Sequence, residues 1–280
     1  MLLEIAIGDA YGAGFEYVPR EIIEKFNDLS SYRKHQKYDI GNGRYTDDTQ
    51  MSIGIAELLL ENKEWTQLNI ANKFVEVFKR DEREGYAGAF YLFLKEIKSG
   101  KEFLEKIKPN SDKNGGAMRA PPLGFLPDIG QLIDYVKFQG SITHNTSGGM
   151  DAAVAAALMS HYFIYDLGEK KNLGKFISNY VPGNWNLPWK GEVGAKGFMA
   201  VMAGITAIQK EDSLSKVLET CVNFGGDVDT VAAIAMGAAS CSKEIKNDLP
   251  ETLIKGLENN NFGRDYLINL DKKLKTKFKI

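Results

Sequence analysis

Two stretches of this chain crowd carboxylates at the mouth of an apolar segment. Tyr45-Thr-Asp-Asp-Thr-Gln50 runs straight into Met51, Ile53, Ile55, Leu58 and Leu59. Gly225-Gly-Asp-Val-Asp-Thr230 runs straight into Val231-Ala-Ala-Ile-Ala-Met-Gly237. One acid in such a place is an ordinary helix cap, and Asp47 with Gln50 three residues on has the form of a capping box. Carboxylates there also meet the positive end of the helix dipole. A cap uses one acid, however, and each mouth offers two with threonines beside them. The repetition points to acids turned inward to a shared site. Asp47, Asp48, Asp227 and Asp229 would repel one another and raise each other's pKa unless cations sat among them. Hard divalent cations take carboxylate and hydroxyl oxygens, which suits Mg2+ or Mn2+. Two such ions would balance the four aspartates, with Glu16 as a further acid. Three histidines and two cysteines in the whole chain argue against a zinc cluster.

Helices must carry these mouths. Residues 48–62 place apolar side chains at helical spacing, and Leu68, Ile70, Ala71, Phe74, Val75, Val77 and Phe78 do so over 68–79. Ala152-Ala-Val-Ala-Ala-Ala-Leu-Met159, within 150–165, reads as a helix buried on every side. Further helices are expected over 194–210, 213–223, 228–241, 250–258 and 263–277. Gly and Pro clusters punctuate the chain at Gly41-Asn-Gly43, Asn114-Gly-Gly116, Pro121-Pro122, Gly148-Gly149 and 182–188. Strand signals are scarce, and neither a long linker nor a repeat array interrupts the pattern. The expectation is all-α: a single compact multi-helix domain over 1–280.

Bulk properties narrow the function. The chain has 280 residues, 44% of them hydrophobic and 26% charged, enough to bury a sizeable core. A net charge of −2 with scattered Lys and Arg leaves no footprint for nucleic acid. The basic run Lys272-Lys273-Leu274-Lys275-Thr276-Lys277 reads as a solvated helix end. Cys221 and Cys241 form no C-x-x-C pair and suggest no disulfide framework. No apolar run approaches the roughly 18 residues a membrane helix needs. The segment Met1-Leu-Leu-Glu-Ile-Ala-Ile-Gly-Asp9 is too short and too acidic for a signal peptide. A cytoplasmic monomer without nucleic-acid or membrane partners is expected.

Five segments in order resemble the ADP-ribosylglycohydrolase family. They are Gly8-Asp-Ala-Tyr-Gly-Ala-Gly-Phe-Glu16, Tyr45-Thr-Asp-Asp-Thr49, Asn114-Gly-Gly-Ala-Met-Arg119, Thr143-His144 before the Ala-rich helix, and Gly225-Gly-Asp-Val-Asp-Thr230. The resemblance implies an all-α enzyme with two Mg2+ or Mn2+ ions. It implies Thr46, Asp47 and Asp48 as ligands on one side and Asp227, Asp229 and Thr230 on the other, with Asp229 bridging. Glu16 matches a glutamate that lies over the metals and can take part in catalysis, and Asp47 or Asp48 are alternative bases. Asn114, Gly115, Gly116, Met118 and Arg119, with His144, Ser147 and Gly148, match parts that contact ADP-ribose. Lys113 stands where the family often has Gly before Asn-Gly, and the stretch after His144 is more polar than Pro-containing versions. Both departures fall outside the metal ligands.

The implied reaction is hydrolysis at C1″ of the distal ribose, through an oxocarbenium-like transition state. The substrate would be an ADP-ribosylated protein or a smaller ADP-ribose conjugate, with an arginine linkage expected and a serine linkage as the alternative. A silent ADP-ribose-binding or structural member and a two-metal phosphohydrolase are rival readings. Individual residues have plainer alternatives too. Asp9 reads as a structural carboxylate that satisfies its neighbours. Arg119 reads equally as a diphosphate ligand or a buried loop anchor. His35 and His161 read as ordinary structural histidines, and Trp185 and Trp189 as a packed loop.

Overall fold

The computed structural model describes residues 1–61 and 63–280. Its helices begin with α1 (Leu2–Ala13), apolar on nearly every side and buried from Ile5 onward. After Pro19 comes the short α2 (Arg20–Phe26), and residues 27–46 then cross the surface without a helix before α3 (Asp47–Leu60). The expected helix over 48–62 therefore stops at Leu60, and residue 62 lies outside the described residues.

α4 (Gln67–Arg80) buries Ile70, Ala71, Phe74, Val75, Val77 and Phe78 at helical spacing, while Leu68 faces solvent. Its start is fixed by Thr66, whose Oγ1 accepts from the Asn69 amide at 3.2 Å, a cap worth about 1 kcal/mol. α5 (Gly88–Glu96) and α6 (Gly100–Lys106) follow, and the glycine-rich segment winds one turn as α7 (Gly115–Met118). α8 (Ile129–Ser141) and α9 (Ser147–Ile164) are capped by Asp128 and Thr146.

The chain closes with α10 (Leu173–Ser178), α11 (Gly197–Lys210), α12 (Leu214–Asn223), α13 (Val228–Ala239), α14 (Glu251–Gly256) and α15 (Arg264–Phe278). No β-sheet occurs among the described residues, only isolated bridges.

α13 is the axis of the molecule. All of its residues are buried, and α1, α11, α12 and α9 pack around it. Full burial of an Ile, Leu or Val side chain contributes roughly 1.5–3 kcal/mol relative to exposure. The buried Ile5 of α1, Val201 and Ile205 of α11, Val217 and Leu218 of α12, and Ile234 of α13 are such side chains. α3 and α15 also pack against α1. Three bridges then tie the loops above this core to one another: Asn110 with His144, Lys113 with Lys196, and Val193 with Gly226. The N-terminal ends of α3, α7 and α13 thus open onto one cavity.

Candidate functional site

Asp9, on α1, organises the mouth of α3. Its carboxylate accepts from the Thr46 amide at 3.0 Å, the Thr49 amide at 3.0 Å, the Thr46 hydroxyl at 2.8 Å and the Thr49 hydroxyl at 2.6 Å. The structural role expected for Asp9 is this one. The capping box expected between Asp47 and Gln50 is not formed. Thr46 holds the cap position without a side-chain cap bond, and Asp47 is already the first helical residue. The Gln50 side chain instead donates to the Asp81 carbonyl at 2.5 Å and accepts from the Tyr86 hydroxyl at 2.6 Å. Because Asp9 serves the first-turn amides from another helix, Asp47 and Asp48 are not needed as caps and line the cavity.

The mouth of α13 is set by backbone. Gly225 and Gly226 have φ of +76° and +85°, the left-handed region that suits glycine. A Cβ on Gly226 would stand 2.0 Å from the Val193 carbonyl oxygen. The Val193 amide donates to Gly225 O and the Asp227 amide to Val193 O, both at 2.9 Å. This clamp places Asp227 just before the helix and Asp229 in its first turn. Asn114 then donates its side-chain amide to Asp227 Oδ2 at 3.1 Å and to Thr230 Oγ1 at 3.0 Å. The Tyr17 hydroxyl reaches Asp227 Oδ2 at 3.4 Å.

Burial is the main force on these acids. It pushes Asp47, Asp48 and Asp229 well above the usual carboxylate range, with the neighbouring carboxylates adding to the rise. Asp227 is raised for the same first reason. Asp48 Oδ1 is buried with no hydrogen-bond partner. Oxygens of Glu16, Asp227 and Asp229 come within 4.8 Å of one another. Buried anions left unpaired are costly. Crowded carboxylate oxygens beside threonine hydroxyls are the donor set of a hard divalent cation, so the residues fit one.

The acids form part of the wall of a cavity of about 590 Å3. Glu16, Asp47, Asp48, Asp227, Asp229 and Thr230 line it, as do Asn114, Gly115, Met118, Arg119 and His144. Thr46 is buried beneath this wall. Gly116 packs on the His144 ring, where a Cβ would stand 3.2 Å from Cγ. Ser147 and Gly148 do not join the others. They line a neighbouring depression with Asn110, Asp112, Lys196 and Phe198, because segment 110–113 runs between the two spaces with alternate residues facing each.

Arg119 is spent on the protein. It donates to Gln139 Oε1 at 2.5 Å, Gln139 O at 3.0 Å and Thr143 Oγ1 at 2.6 Å, and its guanidinium lies 4.5 Å from the Phe74 ring centre. Of its two readings, the geometry favours the loop anchor. Burial pulls its pKa down to about 9. Thr143 Oγ1 accepts from Arg119 and lies 2.7 Å from His144 Nδ1. Burial, then the Arg119 charge, lowers the His144 pKa to about 3, so the ring is neutral.

A family model described as ADP-ribosylglycohydrolase matches residues 1–279. The chain belongs to the ADP-ribosylglycohydrolase family. It is 32% identical to ADP-ribosylhydrolase ARH3 of Xenopus tropicalis over 173 residues, which are 58% of this chain and 48% of that protein. The chain spans about half the length of the vertebrate relatives it matches in this way. It is 25% identical to the ADP-ribosyl-(dinitrogen reductase) glycohydrolase of Rhodospirillum rubrum over 270 residues, 91% of this chain and 88% of that protein. A solved chain of an "ADP-ribosylglycohydrolase-related protein complex" superposes with a TM-score of 0.74 at 19% identity, covering 100% of this chain and 96% of that one. That likeness carries the fold alone.

In this ADP-ribosylglycohydrolase-family protein, several cavity residues escape the sequence reading. Phe90 and Phe93 on α5, stacked at 5.9 Å, line the cavity with Tyr38, Lys106 and Lys108. His35, expected to be merely structural, lies with Nε2 2.5 Å from Glu16 Oε2. No local pattern marks His35, since Glu16 stands 19 residues back with α2 and the start of the 27–46 segment between them. His161 meets the expectation, contacting the Leu126 carbonyl through Nδ1 at 3.0 Å. Trp185 is buried and donates to Val181 O at 3.2 Å, away from the cavity.

No helix among the described residues is long and apolar enough to cross a membrane.

Proposed function

We propose that this protein is a metal-dependent hydrolase that cleaves the glycosidic bond joining ADP-ribose to a protein side chain, arginine favoured, and releases intact ADP-ribose. The observation that carries the reading is the buried cluster of four aspartates beside Glu16, in which Asp48 Oδ1 has no partner. Two Mg2+ or Mn2+ ions would be held by Thr46, Asp47 and Asp48 on one side and by Asp227, Asp229 and Thr230 on the other, with Asp229 shared. The Thr46 hydroxyl proton is directed to Asp9, which leaves an oxygen lone pair for a cation and orients it. When bound, the cations supply charge neutralisation and a template for the vicinal ribose hydroxyls.

The chain's own residues do the rest. Glu16 accepts a proton from the attacking water as the new O–C1″ bond forms and the C1″–N bond to the guanidine breaks. The proton count closes with protonation of the leaving nitrogen. Asn114 steadies Asp227 and Thr230 through its amide. His144, neutral, presents its ring to the substrate from the cavity wall. Phe90 and Phe93 supply apolar ring surface and Lys106, Lys108 and Lys113 supply positive charge in the same cavity, which suits a base and a diphosphate. The chain is read as one domain over 1–280, acting as a cytoplasmic monomer.

Turnover of arginine-linked and serine-linked ADP-ribosylated proteins with Mg2+ or Mn2+, products read by mass, tests this. Release of intact ADP-ribose from the arginine conjugate is expected. Release from the serine conjugate alone would reassign the linkage. Phosphate or AMP as the product would overturn the glycosidic reading.

A further inference from the structure

The 27–46 segment folds back so that His35 reaches Glu16, with the His35 side chain only 3% exposed. Nε2 stands 2.5 Å from Glu16 Oε2. The other ring nitrogen is already committed: the Lys37 and Tyr38 amides donate to Nδ1 at 3.0 and 3.2 Å. An amide donor meets a lone pair, so the ring proton sits on Nε2 and the contact is a donation from His35 to Glu16. The tautomer is therefore set by the loop backbone rather than by Glu16. The same turn is closed by the Lys34–Asp39 ion pair at 2.9 Å and by the Tyr38 ring, 4.9 Å from the imidazole centre.

Glu16 has somewhere else to go. One of its oxygens lies within 4.8 Å of oxygens of both Asp227 and Asp229, so a cation held by those two could draw it in as a ligand. A donor fixed on Oε2 limits how far the carboxylate can turn toward such a cation.

We propose that His35 is a positioning residue for Glu16, holding the carboxylate as a base beside the metal centre instead of a ligand of it. This rests on the reading of Glu16 as the base. A positioning donor of this kind acts on the chemical step more than on substrate binding.

Two variants of the full chain test it. His35→Phe keeps the ring volume and removes the donor, whereas His35→Gln keeps a donor and an acceptor. His35→Phe is expected to lower kcat about 10–100-fold, the worth of a hydrogen bond to a charged group, with KM held within about twofold. His35→Gln is expected to recover most of that loss. Wild-type kcat in His35→Phe, or equal losses in both variants, would overturn the proposal. A second readout needs no turnover. NMR of the imidazole nitrogens in the metal-free protein should show the Nε2–H tautomer, with a ring proton whose exchange speeds up in Glu16→Ala. An Nδ1–H tautomer, or a ring proton indifferent to Glu16→Ala, would overturn it as well. Should the wild-type protein release no ADP-ribose, the functional reading fails by itself, while the NMR result still decides whether His35 holds Glu16.

Discussion

Gly12 of α1 lies so close to Asp229 of α13 that a Cβ on Gly12 would stand 2.4 Å from the Asp229 Cα and 2.8 Å from its nitrogen. Both contacts are backbone, so neither can be relieved by turning a side chain. The most crowded point of the central helix pair is therefore also the point that locates an acid of the cluster. Gly12→Ala should force the helices apart at the site. Overpacking of this kind costs about 1–3 kcal/mol, and the melting temperature should fall by roughly 5 °C. Mg2+ affinity, measured by titration, should fall with it. Unchanged melting and unchanged affinity in Gly12→Ala would show that the contact does not position Asp229.

Asp9 predicts a second effect. It accepts four donors from Thr46 and Thr49, and no other side chain caps α3. Asp9→Asn keeps the shape but turns one acceptor into a donor facing donors. Leaving buried groups unpaired costs about 1–3 kcal/mol each, so urea unfolding should show a clear loss of stability. Stability equal to wild type would contradict the capping role.

The acids also predict a pH dependence. Asp9 is pushed up to about 6 by burial, and Asp47, Asp48 and Asp229 are raised by burial and by one another. A carboxyl raised on folding binds its proton more tightly in the folded chain than in the unfolded one. Below the unfolded value of 3.8 both states are protonated and nothing is gained. As pH rises through the folded value the metal-free protein loses stability, and it stays penalised above. His144 runs the other way, since its lowered pKa favours folding above the unfolded value of 6.5 and that gain is lost as pH falls toward about 3. The difference between Mg2+ and EDTA at each pH largely removes the His144 contribution. That Mg2+-induced rise in melting temperature should grow from pH 5 to pH 8, as protons stop competing for the same oxygens. A rise that is flat or shrinks over that range would argue against cation binding at these acids.

Arg119 separates anchoring from recognition. Its donors go to Gln139 and Thr143, so Arg119→Lys should lower stability by about 1–3 kcal/mol while KM for the folded variant changes little. A large rise in KM with unchanged melting would make Arg119 a substrate ligand.

The two acidic mouths are legible because charge crowded before a small-residue helix is a local signature, carried by residues 46–48 and 227–230. The long helices α4, α9 and α13 are legible from their period. α2, α5, α6 and α10 are too short to show one, and α1 is apolar on almost every side, which blurs it. The capping box fails because the actual acceptor, Asp9, comes from another helix. Arg119 cannot be assigned from sequence because its partners lie 20 and 24 residues away. His35 is invisible for a like reason, since Glu16 stands 19 residues back with α2 between them. Ser147 and Gly148 join the cavity only on the strength of the family pattern, and the alternation along 110–113 places them next door.

Whether the aspartates of α3 and α13 form one divalent-metal centre is tested most directly by a Mn2+ titration. The metal-stripped wild-type protein and Asp229→Ala are followed side by side by calorimetry, with circular dichroism to confirm that both are folded. Two Mn2+ ions bound per wild-type chain, and loss of that binding in Asp229→Ala, are expected. A folded wild-type protein that binds no Mn2+, or an Asp229→Ala variant that binds it as well as wild type, would contradict the assignment.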